Sequence, residues 1–251
     1  MGIIGTLASI GMAVGPPLVY VDQAASIIRK RDSSGFSKDV CGVVIIANII
    51  RVFFWLGERF ELALLVQSVL LIISQLALLW ICLYYTPLPA PGIAIGDEEE
   101  ADELLDHEEE QIKSSRPFNF WQWPRLGSYL EFLAGLIVLL TITHVILGRF
   151  KWYIGVLGFV ALSIESTLPI PQFLSNYRRK SCYGFRSSTL AGWLFGDMFK
   201  TGYYFVRNNP LQFKVTGILT ICWDLAVLAQ RIYYGAAPPH KVVLEQEEEE
   251  M

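Results

Sequence analysis

Seven long apolar runs constrain this chain more than any other feature of its sequence. They cover residues 3–21, 40–57, 62–85, 128–147, 152–174, 187–206 and 211–234. A helix needs about 20 apolar residues to cross a bilayer core of about 30 Å, and each run approaches that length. Because backbone amides exposed to lipid must be satisfied within their own segment, such runs form helices. The sequence therefore predicts an all-α bundle of seven transmembrane helices.

The distribution of charge predicts how this bundle is oriented. Charged residues make up 18% of the chain, whereas a soluble domain carries about 25%. Ten of the 24 acidic residues lie in 97–110 and five more in 245–250, which indicates an acidic linker at 86–127 and an acidic tail at 235–251. Basic residues favour the side of the membrane that holds this linker and tail. The positive-inside rule then places the C-terminus in the cytosol and the N-terminus in the lumen.

The chain also resembles itself at an offset of 149 residues. The paired positions are Gln23/Gln172, Arg29/Arg178, Lys30/Arg179, Arg31/Lys180, Gly35/Gly184, Phe36/Phe185, Asn48/Asp197, Arg51/Lys200 and Leu62/Leu211. Residues 1–85 and 152–234 are therefore predicted to be parallel three-helix repeats, and the helix at 128–147 inverts the chain between them. Parallel repeats of this kind are one plan of membrane transporters, with the site at the repeat interface near the midplane.

Polar residues within the predicted spans indicate where a pathway would lie. Six of them are candidate pathway or substrate residues: Asn48, Arg51, Glu165, Asp197, Lys200 and Asp224. Charges at this depth are costly and usually face the bundle interior or water. We select Glu165 as a candidate proton carrier because no basic residue lies within a helical turn of it. The alternative is that these residues are static links between helices.

Two further patterns concern helix geometry. Pro169 and Pro171, with Gln172 and its repeat partner Gln23, are candidate hinge residues, since proline removes a backbone donor and kinks a helix. The alternative is an ordinary helix end. Glycine pairs at Gly11/Gly15 and Gly192/Gly196 predict close contact between helices.

These motifs resemble those of the PQ-loop repeat family of membrane proteins. Ile170-Pro171-Gln172 followed by Gly184-Phe185 is similar to the PQ-loop motif, and Val21-Asp22-Gln23 with Gly35-Phe36-Ser37 resembles its first copy. Asp22 stands where that motif has proline. The family includes cystinosin and lysosomal cationic amino acid exporters, and it is similar in fold to the SWEET transporters. The resemblance implies a 3+1+3 arrangement of helices.

Three further segments resemble one branch of this family. They are Ala47-Asn48-Ile49-Ile50-Arg51, Phe118-Asn119-Phe120-Trp121-Gln122-Trp123 and Gly196-Asp197-Met198-Phe199-Lys200-Thr201. The branch contains PQ-loop repeat-containing protein 1. Its fungal members are linked to phospholipid asymmetry and oppose aminophospholipid flippases at Golgi and endosomal membranes. The resemblance implies phospholipids as ligands and flippases as partners.

Three functions remain open on this basis. The first is phospholipid scrambling that opposes flippases, and the second is proton-coupled export of a small solute, such as an amino acid, from an acidic organelle. The third is a scaffold that binds a flippase through the acidic linker. The sequence holds no nucleophile beside a base, no phosphate-binding glycine loop and no metal-ligand spacing. We therefore expect no enzymatic activity, cofactor, metal or nucleic-acid partner.

Overall fold

The computed structural model describes residues 3–31, 33, 36–85, 120–182 and 187–235. Within these ranges all regular structure is helical: α1 Ile3–Lys30, α2 Lys38–Gly57, α3 Leu62–Tyr84, α4 Leu126–Leu147, α5 Lys151–Ser166, α6 Ile170–Arg179, α7 Ser187–Val206 and α8 Leu211–Tyr234. Helices α5 and α6 together form the fifth span, so the predicted all-α class of seven spans is confirmed. The acidic runs at 97–110 and 245–250 lie outside the described residues.

Five helical stretches are long and apolar enough to cross a membrane. They are Lys38–Gly57, Leu62–Tyr84, Leu126–Leu147, Lys151–Arg178 and Leu211–Tyr234. The two remaining spans, α1 and α7, have 28 and 20 residues. Both contain charged residues: Asp22 lies in α1, and Asp197 and Lys200 lie in α7.

The two repeats fold in the same way. Helix α3 packs against both α1 and α2, while α8 packs against both α7 and the α5–α6 span, so the third helix of each repeat lies between the other two. The backbone N–H of Ser33 donates to the carbonyl of Tyr85, and that of Cys182 donates to the carbonyl of Gly235, at 3.2 and 3.1 Å. These two bonds join nearly equivalent positions of the repeats. Helix α4 lies against α2 and α3.

One interface holds most of the contact between the repeats. Helix α2 packs closely along α5, whereas α1 and α7 are not among the helix pairs with close backbone contact in the described residues. An aromatic cluster extends from α2 to α8: ring centroids are 5.2 Å apart for Phe54 and Phe60, 4.9 Å for Phe60 and Phe213, and 5.1 Å for Phe213 and Tyr204. Aromatic pairs at such distances add about 0.5–1.5 kcal/mol each beyond their buried area. The repeats are therefore joined firmly on one side.

Two predicted spans differ from the helices observed. Helix α1 continues to Lys30, nine residues past the predicted end, so Gln23 lies inside an unbroken helix that also contains Pro16 and Pro17. The fifth span is interrupted at residues 167–169, and Pro169 caps the start of α6. Pro171 then occupies the first turn of α6, where the missing N–H of proline is not needed. The prolines start a new helix here rather than kink the interior of one.

The prediction that the glycine pairs make close helix contacts is wrong for the described residues. A Cβ atom built on Gly11, Gly15, Gly192 or Gly196 would meet no described atom within 4 Å. Glycines four residues apart share one face of a helix. Their spacing does not specify whether that face turns inward, and in this fold it turns outward.

Candidate functional site

A cavity of about 330 Å³ lies between the two repeats. Helices α1, α2, α5, α7 and α8 contribute to its wall, so neither repeat alone could form it. Five of the six predicted pathway residues line it: Arg51, Glu165, Asp197, Lys200 and Asp224. Its volume is at the lower end of the roughly 300–1,000 Å³ found for small-molecule sites. It can hold a polar group of modest size.

An ion pair across this cavity joins the repeats. Arg51 of α2 pairs with Glu165 of α5, and only 1% of the Arg51 side chain is exposed. Its Nε and Nη1 atoms find no hydrogen-bond partner among the described residues, and its guanidinium carbon lies 5.8 Å from the ring centroid of Phe213. A buried arginine is costly unless it is paired. We selected Glu165 because no base lies near it along its own helix. In the folded protein that reason does not hold, because Arg51 on another helix supplies the base.

Helix α7 adds a second pair to the cavity. Lys200 Nζ lies 3.2 Å from the carboxylate of Asp197, one turn earlier on the same helix, and 4.0 Å from the carboxylate of Glu165. The side chains of Lys200 and Asp197 are 26% and 20% exposed in the middle of their span. Glu165 thus links the pair on α7 to Arg51 on α2.

Asp224 of α8 is the third acid in the cavity. It is fully buried, and apart from the neighbouring carboxyl of Asp197 its oxygens have no described hydrogen-bond partner. The charged groups that act on it are Asp197 and Lys200. Thr216 and Thr220, at four-residue intervals before it on α8, also line the cavity. Their hydroxyls donate to carbonyl oxygens of α8, so the oxygen lone pairs remain available as acceptors.

Of the other predicted residues, all but Pro169 lie outside the cavity wall. Asn48 is fully buried in α2 but is not part of the cavity wall, and its amide donates to the carbonyl of Val44 at 2.8 Å. Gln172 donates to the side chain of Asn176 at 2.7 Å within α6. Gln23 and Pro171 are also absent from the wall, whereas Pro169 is part of it. The structure therefore groups the charged candidates and separates them from the amides.

Sequence reasoning missed a polar network that joins the repeats at one end of the bundle. We call it the Glu61 network: Ser9 of α1, Glu61 before α3, Tyr203 of α7 and Arg207 after α7. Arg207 Nε donates to Glu61 Oε1 at 2.8 Å. Ser9 Oγ lies 2.8 Å from the Tyr203 hydroxyl and 3.2 Å from Glu61 Oε1. The network ties α1 to α7, which make little close backbone contact.

The charge of Glu61 is stabilised in this network. Partial burial acts to raise the pKa of Glu61, but the hydrogen bonds from Arg207, Tyr203 and Ser9 outweigh it and hold the pKa below its ordinary value. In the sequence both charges stand at the ends of apolar runs, where they are easily read as interfacial. The 149-residue offset matches Arg207 with Glu58 and Glu61 with Pro210, so the repeat did not reveal the pair either.

The cavity brings together charged, hydroxyl and aromatic groups that can bind a polar ligand. Among the described residues no group of three potential metal ligands is found. The cavity instead offers two bases, three acids and four serine or threonine hydroxyls, with aromatic rings from Tyr20, Trp193 and Tyr204 in its wall. Such a set suits a small zwitterion.

Comparisons with known proteins bear on both fold and function. The family described as PQ loop repeat matches residues 153–213. Scramblase ANY1 of Saccharomyces cerevisiae is 26% identical over 275 aligned residues, which cover 87% of this chain and 68% of the yeast protein. A structure of a eukaryotic SWEET transporter superposes with a TM-score of 0.53 at 12% identity, covering 92% of this chain and 95% of that one. At that identity the SWEET likeness concerns the fold alone.

Proposed function

We propose that this chain, which belongs to the PQ-loop repeat family of membrane proteins, moves phospholipids between the leaflets of its membrane as a scramblase. The observation that carries the proposal is the charged cavity between the repeats, which reaches the outer surface of the bundle. Val19 belongs to the cavity wall and is also 68% exposed. A lipid head group could enter there while its acyl chains stay in the bilayer.

The size of the cavity supports a pathway in which the head group lies in the cavity and the acyl chains stay in the bilayer. At about 330 Å³ it accommodates a head group, whereas acyl chains extend through about half of a core about 30 Å thick. Charged side chains in the cavity replace water around the head group, which lowers the cost of bringing its charges to the midplane. Because α1 and α7 make little close backbone contact, the acyl chains could lie alongside them.

The Glu61 network gives this pathway two states. It joins α1 to α7 at one end of the bundle, and we propose that it closes the pathway at that end, so that a head group reaches the cavity from the other. Release of the network would let α1 and α7 separate and open the closed end. By the positive-inside rule the Glu61 end is lumenal and the C-terminus cytosolic.

A lipid-movement assay tests the proposal. The full chain is reconstituted into liposomes with an acyl-labelled fluorescent phospholipid, and dithionite quenches the label that reaches the outer leaflet. We expect quenching to exceed that of protein-free liposomes, and we expect Lys200→Gln to slow it. Glu131→Gln, which changes an exposed acid on α4, is the matched control and leaves the rate unchanged. Quenching equal to that of protein-free liposomes would refute scrambling.

The alternative is proton-coupled export of a small solute such as an amino acid. It is favoured by the small cavity volume and by the fully buried carboxylate of Asp224. This function predicts electrogenic uptake of labelled amino acids driven by an imposed pH gradient, and loss of the current in Glu165→Gln or Asp197→Asn. Uptake without a proton current would reject the coupling.

Location and partners belong to the same proposal. We assign the protein to Golgi or endosomal membranes, where it would dissipate the asymmetry that flippases create. Co-localisation of a tagged chain with markers of these membranes tests the first point. Deletion of residues 97–110 tests a scaffold role: it would abolish flippase binding and leave scrambling intact if the linker only recruits a partner.

A further inference from the structure

We propose that Asp224 binds the positively charged ammonium group of the substrate. The inference rests on the proposed function and names the chemical class of head group that the cavity accepts: phosphatidylethanolamine, phosphatidylserine and phosphatidylcholine, which carry an ammonium, rather than phosphatidylglycerol, which does not. The shared chemistry is an ammonium group, whether it comes from a lipid or from a free amine.

The first support is the charge balance of the cavity. Its wall contains two bases and three acids. Arg51 is paired with Glu165, and Lys200 is paired with Asp197. Asp224 is therefore the acid in excess, and the cavity lacks one positive charge when all five groups are ionised.

The second support is the burial of Asp224. The residue is fully buried, and apart from the neighbouring carboxyl of Asp197 neither of its oxygens has a described hydrogen-bond partner. An ionised carboxylate in such surroundings is costly unless a cation or several donors compensate it. A ligand that brings a cation with N–H donors would supply both.

The third support comes from the equivalent position of the first repeat. At the 149-residue offset Asp224 corresponds to Gln75, and Thr216 corresponds to Gln67. Both glutamines are fully buried in α3 and are not part of the cavity wall. The fold therefore accepts a neutral amide at this position, so the packing of the repeat does not require a charge. The carboxylate occurs in the repeat where the position faces the cavity.

The surroundings of Asp224 suit an ammonium group. Asp197 lies beside it, and the hydroxyl oxygens of Thr216 and Thr220 are acceptors on the same face of α8. The rings of Tyr20 and Trp193 line the same cavity. Aromatic faces attract cations, including quaternary ammonium groups that have no N–H to donate. The subsite therefore fits choline as well as ethanolamine and serine head groups.

The test compares head groups in proteoliposomes that contain the full chain. Acyl-labelled fluorescent phosphatidylethanolamine, phosphatidylcholine and phosphatidylglycerol share one acyl composition, and the initial rate is measured for each. We expect the wild-type protein to move the two ammonium lipids faster than phosphatidylglycerol. In Asp224→Asn we expect the rates for the ammonium lipids to fall about tenfold or more, because a buried partner of the cation is lost, while the rate for phosphatidylglycerol does not fall.

Two variants serve as controls. Asp224→Glu keeps the charge and is expected to retain the preference for ammonium lipids, which separates loss of charge from loss of folding. Glu131→Gln removes an exposed acid of α4 outside the cavity and is expected to behave as wild type. Equal rates for all three lipids in the wild type, with equal slowing in Asp224→Asn, would overturn the subsite while scrambling stands.

A binding measurement separates failure of the subsite from failure of the proposed function. The thermal unfolding of the full chain in detergent is followed with dihexanoyl phosphatidylethanolamine, dihexanoyl phosphatidylglycerol or free phosphoethanolamine. Stabilisation by either ammonium ligand in the wild type and not in Asp224→Asn supports the subsite even if no lipid is scrambled. If phosphoethanolamine alone stabilises, the source is a solute. Identical shifts with all three ligands in both proteins would refute the subsite.

Discussion

The two interfaces between the repeats are related by the 149-residue offset, yet they are built differently. On the α2–α5 side the ring of Phe54 lies over Gly158, and Ile154 lies over Gly57. The equivalent positions on the α1–α7 side are Tyr203 with Ser9 and Gly5 with Val206. There Ser9 and Tyr203 form a hydrogen bond of 2.8 Å, Gly5 has no described neighbour within 4 Å of its Cβ position, and Val206 is 84% exposed.

This difference suggests which side moves. Apolar packing of a ring onto a glycine depends on a fit within a fraction of an ångström, so the α2–α5 interface acts as a fixed side. Hydrogen bonds and ion pairs near the end of a bundle can exchange with water at little net cost. We therefore expect the α1–α7 interface, held by the Glu61 network, to be the side that opens.

The largest expected effect is a difference in the free energy of unfolding between variants that break the ion pairs of the two interfaces. Arg51→Gln would leave Glu165 without its partner, and loss of one member of a buried pair costs about 3–5 kcal/mol. Arg207→Gln breaks the more exposed pair with Glu61, which is expected to contribute little because water competes for both charges. Denaturant unfolding in mixed micelles measures both. Equal free energies of unfolding for the two variants would contradict the assignment of a fixed and an opening side.

The next effect concerns matched glycines. A Cβ atom on Gly158 would lie 2.7–2.9 Å from ring atoms of Phe54, so Gly158→Ala is expected to lower the free energy of unfolding by about 1–3 kcal/mol through overpacking. Gly5→Ala has open space and is expected to be neutral or to stabilise α1 by up to about 1 kcal/mol. Destabilisation by Gly5→Ala as large as that by Gly158→Ala would show that α1–α7 is also tightly packed.

A smaller effect is expected on transport. Tyr203→Phe removes the hydroxyl that contacts Ser9, a loss of about 1 kcal/mol that shifts the balance of closed and open states about fivefold. The initial scrambling rate should rise by up to that factor. Tyr153→Phe is the control, because its hydroxyl contacts Thr143 of α4 at 3.0 Å, away from this interface. A rate that falls in Tyr203→Phe alone would mean that the contact promotes opening.

The smallest effect is expected from mild acidification. The pKa of Glu61 is lowered in the closed network, so ionised Glu61 favours closure at every pH above its ordinary value of about 4.3. That contribution is lost only as the pH falls through the lowered pKa. Between pH 7 and pH 5 the network should therefore hold, and the difference in scrambling rate between wild type and Glu61→Gln should stay constant. A difference that disappears at pH 5 would contradict this.

The charged candidates show how much of the site could be predicted from the sequence. Arg51, Asp197 and Lys200 were found because polar residues in apolar runs are rare and because two of the positions recur at one offset. The cavity includes all three. Asn48 recurs at the same offset but bonds to its own helix, since a repeat relates positions and does not state which way a side chain turns. The proposed hinge at Pro169 lies at an observed break, whereas its counterpart Gln23 lies in a continuous helix.

Hydropathy and self-similarity were sufficient to establish seven spans, their order and the 3+1+3 plan, because both are read from the order of residues alone and do not depend on which helices are neighbours in space. Which residues the charged side chains pair with depends on the tertiary structure. Arg51 reaches Glu165, and Arg207 reaches Glu61, across more than a hundred residues of sequence. The rotation of each helix about its axis decides three further features: which interface is fixed, which glycines face outward and which carboxylate has no base as partner. That rotation is set by packing among all the helices together.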